Sequence, residues 1–205
     1  MSNKIIFATT NVGKLNEIKL ILKDLNMDVI SMKEAGIDLD IVEDGTTFEE
    51  NAIIKAKTIM ELTGEIVLAD DSGLEVDYMN KEPGVYSARF LGEDTSYTIK
   101  NNYIIDKLRG VNGKDRSARF VCVIACAMPD GEIITRRATI EGIIAEKEAG
   151  ENGFGYDPIV FIPEYNLTLA QLSLEEKNKI SHRGKALEAM KEVLRSRLKN
   201  ENTNS

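Results

Sequence analysis

Tryptophan is missing from this chain of 205 residues, histidine occurs once and cysteine twice. A single imidazole, His182, excludes a histidine-based metal cluster and leaves a Ser-His-Asp triad without other support. Cys122 and Cys126 both lie in the apolar run FVCVIACAM, where strand alternation puts them on one face as small core residues. That placement excludes a disulfide or zinc framework. No apolar stretch approaches the roughly 20 residues that cross a bilayer. MSNK leads directly into a short strand-like run, without the charged, apolar and cleavage segments of a leader, so the expected setting is soluble, reducing and cytoplasmic, with no membrane partner. Basic residues are outnumbered by acidic ones, 26 to 34, for a net charge of −8, which excludes a nucleic-acid partner held through its phosphate backbone. Between Lys177 and Lys199, however, the bias reverses to eight Lys or Arg against two Glu, a local match for a small polyanion.

Repeats, low-complexity tracts and linkers are absent too, and 42% apolar composition over this length supports one substantial core. A single domain over residues 1–199 with a frayed polar tail at 200–205 is the expected organisation. KIIFAT (residues 4–9) has the character of a short strand, and Leu15, Ile18, Ile21, Leu22 and Leu25 follow at helical spacing. TTFEENAIIKAKTIMELTG carries a capping-box pattern at Thr47 and Glu50, a buried stripe at Ala52, Ile53, Ala56, Ile59 and Met60, and a stop at Gly64. IVLAD (66–70) predicts a buried strand ending in charge, and residues 95–108 a helix ending at Gly110. RFVCVIACAM and EIITRRATIEGIIAE flank a Pro-Asp-Gly turn and predict a hairpin. IVFI (159–162) adds a strand, and KALEAMKEVLRSRL closes the chain with a helix whose Leu187, Met190, Leu194 and Leu198 share a face. Early alternation of strands with helices followed by a hairpin predicts an α/β fold with a mixed sheet flanked by helices.

Four clusters carry chemistry. The turn TTNVGK, from Thr9 and Thr10 through Asn11, Val12 and Gly13 to Lys14, joins the first strand to the first helix. Free N–H groups and the helix dipole favour an anion there, and Lys14 adds a full charge, although an ordinary capped turn has the same composition. The spacing is not that of a Walker motif. LADDSG places Asp70, Asp71 and Ser72 directly after a buried strand. Adjacent carboxylates repel unless a cation lies beside them, and Mg²⁺ suits oxygen ligands that also meet phosphates; a solvated Asp-Ser-Gly turn is the alternative. Glu43 in VEDGTT is a further acid suited either to such a metal or to a charged loop, and Lys55 shares with Asn51 a helix face that also reads as solvated. In NGFGYDPIVF, Phe154, Gly155, Tyr156 and Asp157 form either a loop that offers a ring to a flat ligand or a turn whose aromatics plug the core. EEKNKISHRGKAL supplies Lys177, His182 and Arg183, donors suited to a carbonyl-bearing base or a phosphate, or to a solvated surface.

Taken in order, TTNVGK, EDGTTFEENA, ADDSGLEVD, PGVYSARF, GFGYDP and SHRGKAL resemble the signature of the inosine triphosphate pyrophosphatase family, or XTP/dITP diphosphatases, over residues 5 to about 195. The resemblance implies a Mg²⁺-dependent, homodimeric, house-cleaning enzyme that hydrolyses ITP, dITP and XTP to the monophosphate and pyrophosphate. It implies an elongated mixed sheet with a ligand cleft between two lobes. It makes residues 9–14 the phosphate loop with Asn11 and Lys14 its main side chains, and Lys55 a further phosphate contact. Asp71 becomes general base and metal partner with Glu43 and Asp70, while Ser72 touches substrate. Phe154 through Asp157, Lys177, His182 and Arg183 become the base pocket, in which Phe154 stacks on the purine and donors from His182 and Arg183 meet the oxygen at position six.

Overall fold

In the computed structural model, residues 4–203 are described, with side chains as far as Arg197. The elements run β1 (Lys4–Phe7), α1 (Val12–Leu22), β2 (Asp28–Ser31), α2 (Phe48–Thr63), β3 (Ile66–Val76), α3 (Tyr97–Lys107), β4 (Ser117–Ala127), β5 (Ile133–Ile144), β6 (Val160–Ile162), β7 (Leu167–Thr168), α4 (Leu174–Ile180) and α5 (His182–Thr203). One mixed sheet takes the order β2-β1-β3-β4-β5-β6-β7. β1 pairs in parallel with both β2 and β3, whereas β6 pairs antiparallel with β5 and β7. The expected α/β class and mixed sheet are therefore present. No described helix is long and apolar enough to cross a membrane.

Local sequence explains the clearest elements. Thr47 accepts from the Glu50 backbone N–H at 3.1 Å while the Glu50 carboxylate accepts from the Thr47 N–H at 3.1 Å, closing the capping box that starts α2. Such a cap contributes about 1 kcal/mol. Gly64, at φ +67°, ends α2 by donating to the Met60 carbonyl at 2.7 Å. Other boundaries differ from the expected ones. β1 stops at Phe7, and β3 continues through Asp70 and Asp71 to Val76 instead of ending in charge. β2 is too short to show a period, and α4 has no counterpart among the expected elements. α5 starts at His182 and its backbone stays helical to Thr203, so only Asn204 and Ser205 of the expected tail lie outside the described residues, as does the side chain of Leu198.

The chain packs as two compact units, and β3, β4 and β5 each pass from one to the other. The first comprises the chain up to Asp71, Cys122–Ala138 and the chain from Arg183. In its core, Ile5 and Phe7 of β1, Ile66 and Leu68 of β3, and Cys122, Ile124 and Cys126 of β4 pack with Ile18 and Leu22 of α1 and with Leu187, Met190 and Leu194 of α5. Both cysteines are buried on this one face, and burial pushes the Cys126 thiol up to about 12. The second unit comprises Ser72–Val121 and Thr139–His182. Its core joins Leu74, Val76, Ile104, Leu108, Phe120, Ile144, Tyr156, Ile159 and Leu169.

Candidate active site

In the first unit, the alternation of β3 separates two neighbouring acids. Ile66 and Leu68 point into the core formed with α1 and α5, so Asp70, in the same register, reaches those two helices. Both Asp70 oxygens meet the Lys14 ammonium, at 3.0 and 3.1 Å, and Oδ2 accepts from Arg183 Nη2 at 3.2 Å and Nε at 3.3 Å. Arg183 Nη1 donates to Glu17 at 2.5 Å. Glu17, Asp70 and Arg183 are each no more than 2% exposed. Burial pushes the Asp70 carboxyl up, but Lys14, Arg183 and Lys55 together outweigh it and hold Asp70 well below the usual carboxylate range. Arg183, disfavoured as a cation by burial, is held charged by Asp70 and Glu17.

Asp71 takes the other register. Its Oδ2 accepts from the Asn51 side chain at 3.3 Å, and its Oδ1 lies 3.5 Å from the Lys55 ammonium, so it reaches α2. Lys55 also donates to Glu43 at 2.8 Å. Burial raises the Asp71 pKa above its ordinary value; Lys55 opposes that rise and Glu43 adds to it. The Asn51 side-chain oxygen accepts from the Gly45 N–H at 2.9 Å, which ties the acidic segment 42–47 to the start of α2. Gly45 has no room for a side chain, since a Cβ there would stand 2.6 Å from that oxygen.

The phosphate-loop candidates lie at the α1 N-terminus. Asn11 is the N-cap, its oxygen accepting from the Lys14 N–H at 3.1 Å, and its own N–H donates to Thr9 Oγ1 at 3.1 Å. Thr10, Asn11 and Val12 are exposed, Val12 by 69%, while Thr9, Gly13 and Lys14 are half-buried. An apolar side chain left that open beside exposed polar neighbours marks a loop shaped by its backbone.

The three acids expected to hold a metal do not converge: among the described residues no three His, Cys, Asp or Glu groups form a metal cluster. Asp70 is turned to Lys14 and Arg183, whereas Glu43 and Asp71 share one ammonium. Two hard carboxylates that meet at one cation do fit Mg²⁺, which is commonly held by one or two carboxylates plus substrate phosphates.

In the second unit, Lys177 donates to Asp157 at 2.7 Å, both side chains being nearly inaccessible, and its ammonium lies 4.5 Å from the centroid of the Phe154 ring. The same Asp157 oxygen accepts from the Phe154 N–H at 2.9 Å. Gly153, at φ +74°, makes that turn possible, because a Cβ would stand 2.2 Å from the carboxylate. Lys177, Asp157 and Phe154 are thus brought together, with Phe154 and Gly155 half-buried. Tyr156 is placed differently from its neighbour: it is 3% exposed, packs edge-on to Tyr97 at 5.2 Å and donates to the Ser87 carbonyl at 2.8 Å. The two rings of NGFGYDPIVF are placed differently, Phe154 half-buried beside the Lys177 ammonium and Tyr156 filling the core. Ser72, half-buried on β3, and His182, 3% exposed and stacked on Phe120, also belong to this unit.

Arg183 is paired with two buried carboxylates. Adjacent in sequence to His182, it donates through its guanidinium to Glu17 and Asp70 in the first unit. Glu17, absent from the expected site, carried a readable signal. It lies three residues after Lys14 and four before Ile21, so a carboxylate sits on the buried stripe of α1.

Comparison with known proteins agrees in sequence and in fold. A family model described as the Ham1 family matches residues 5–193. A protein of Clostridium perfringens named dITP/XTP pyrophosphatase is 48% identical over 96% of this chain and 99% of its own. One of the same name from Bacillus subtilis is 44% identical over 92% and 96%. The solved Ham1 protein of Staphylococcus aureus superposes with a TM-score of 0.84 at 44% identity, covering 95% of this chain and 99% of that one. A HAM1 protein of Coxiella burnetii gives 0.85 at 42% identity, covering 95% and 98%. With six motifs in order, the mixed sheet and these relatives in agreement, the chain belongs to the Ham1 family.

Proposed function

We propose that this chain hydrolyses non-standard purine nucleoside triphosphates, dITP, ITP and XTP, to the nucleoside monophosphate and pyrophosphate, so that deaminated purines are removed from the nucleotide pool. The carrying observation is the pair on β3. Asp70 is held as an anion by three cations, while Asp71, one residue on, is a buried carboxyl with a raised pKa, suited to taking a proton. The names of close relatives, dITP/XTP pyrophosphatase, support the substrate class.

In this reading water attacks the α-phosphorus and Asp71 removes its proton. Asn51 orients the Asp71 carboxylate, and Lys14 and Lys55 neutralise charge on the departing pyrophosphate. Glu43 and Asp71 would hold Mg²⁺, which supplies positive charge against the phosphate oxygens. Thr9 through Lys14 receive the phosphates at the start of α1, with Asn11 keeping its capping role. Phe154 stacks on the purine, an interaction worth about 1 to 3 kcal/mol and indifferent to which base it is. His182 supplies the polar edge that distinguishes an oxygen from an amino group at position six, since a donor facing a donor costs a site built on hydrogen bonds heavily. Arg183 holds Asp70 in place, and Tyr156 supports the loop through its bond to the Ser87 carbonyl. The same reading makes the enzyme Mg²⁺-dependent, cytoplasmic and homodimeric.

The test is to incubate the protein with dITP, XTP and ATP plus Mg²⁺ and identify the products. Pyrophosphate with monophosphate from dITP and XTP, and little from ATP, is the expected result. Orthophosphate released one unit at a time would replace the reading with a general phosphatase, and tight binding without turnover would replace it with a nucleotide sensor.

A further inference from the structure

Within the second unit, α3 turns an amide onto the loop that carries Phe154. Asn101 is 1% exposed, and its side-chain nitrogen donates to the Glu148 carboxylate at 2.8 Å and to the Gly155 carbonyl at 3.3 Å. The two ends of the 148–155 loop are thereby joined through one group. Turning the amide over would set its oxygen against a carboxylate and a carbonyl, so the two acceptors fix its orientation. That oxygen is buried and accepts no hydrogen bond among the described residues, which costs the fold free energy. Ile104 and Leu108, which follow Asn101 at helical spacing on the buried face, are apolar and carry no such cost. What the amide holds is therefore the reason for its place.

The middle of the loop is held elsewhere, since Asn152 donates to the Ala170 carbonyl at 2.9 Å through its backbone and to the Leu172 carbonyl at 3.0 Å through its side chain. Beyond it, the Phe154 N–H donates to Asp157 at 2.9 Å. Between that bond and the Gly155 carbonyl lie only the φ and ψ torsions of Phe154 and Gly155. Gly155, at φ +67°, has backbone freedom that other residues lack. Tyr97, one turn before Asn101, packs edge-on to Tyr156, so one face of α3 meets both residues that follow Phe154.

We propose that Asn101 is a positioning residue for the base pocket: by holding the Gly155 carbonyl it fixes the backbone from which the Phe154 ring meets the purine. The proposal rests on the reading of Phe154 as the stacking residue given above. A stack depends on the plane of the ring, and a chain free to turn at Gly155 keeps the ring while losing its alignment.

In the wild-type protein the Gly155 amide should be as rigid as α3, with an NMR order parameter of about 0.85; a value below about 0.6 overturns the proposal without any variant. Asn101→Ala should lower that value and leave Asn152 ordered. The KM for dITP should rise roughly three- to tenfold, the loss of one hydrogen bond, with kcat within about twofold of wild type. Glu148→Ala leaves the bond to Gly155 in place and should keep KM within about twofold; a rise equal to that of Asn101→Ala would transfer the effect to Glu148 and overturn the proposal. In a Phe154→Ala background Asn101→Ala should add nothing, and an additive effect would show that Asn101 does not act through the ring. If Phe154→Ala raises KM while Asn101→Ala leaves it unchanged, the role of Asn101 is lost and that of Phe154 stands. If Phe154→Ala itself leaves KM unchanged, the stacking reading fails and takes the role of Asn101 with it.

Discussion

On one face of β3, where α1 and α5 pack, Asp70 meets Lys14 and Arg183 and remains an anion; on the other, reached by α2, Asp71 meets an amide and a lysine it shares with Glu43. The two acids are neighbours in sequence and both are at least nine-tenths buried, at 1% and 8% exposure. Their pKa values nevertheless move in opposite directions, because strand alternation sends them to helices carrying different numbers of cations. Burial penalises both; the cations around Asp70 outweigh that penalty, and those around Asp71 do not. A dipeptide that looks symmetrical is divided into an anion held by cations and a carboxyl with a raised pKa.

The largest way to break this comparison is to remove the cation that Asp70 shares with Glu17. Arg183→Met leaves two buried carboxylates facing each other and should cost about 3 to 5 kcal/mol of stability by urea denaturation. A loss below about 1 kcal/mol would mean that the triad does not hold Asp70 as described. A sharper variant is Asn51→Asp, which replaces the donor at Asp71 with a second carboxylate. A base works only when deprotonated, so the rate falls as pH drops through its pKa, and an added negative charge should shift that acid limb to higher pH. An unmoved limb would remove Asp71 from control of it.

The smallest effect expected is a control outside the site. Glu34, exposed and bonded first by the Ser31 backbone N–H and then by Lys19, titrates at about 2 instead of 4.5. A carboxyl with a depressed pKa stabilises the fold above its unfolded value, and that contribution disappears as pH falls through the folded value. The stability difference between wild type and Glu34→Gln should therefore be present at neutral pH and close between about pH 4.5 and 2. A gap that persists unchanged to pH 2 would show that the ion pair sets nothing.

Sequence alone made the local grammar of the fold legible. The capping box at Thr47 and Glu50, the glycine stop at Gly64 and the cysteines on one strand face are each written in a few residues, and each is present. β3 was harder, because Asp-Asp-Ser-Gly has the chemistry of a turn and only the pairing of neighbouring strands keeps it extended to Val76. α4 was obscured by its polarity, although Ser173 and Glu176 form a capping box that could have announced it. At the site, sequence adjacency does not announce that Arg183 starts the return of the chain to the first unit while His182 remains with the second. The partner that explains Arg183, Glu17, lies 166 positions away, a distance no local pattern spans.

The central claim is that Asp71 takes the proton from the attacking water while Asp70 only holds charge in place. Single-turnover hydrolysis of dITP by Asp71→Asn, measured beside nucleotide binding by the same variant, tests it most directly. The account predicts a rate loss of about a hundredfold or more, the range for removal of a general base, with affinity changed only a few-fold. A rate within about tenfold of wild type at unchanged affinity would contradict it.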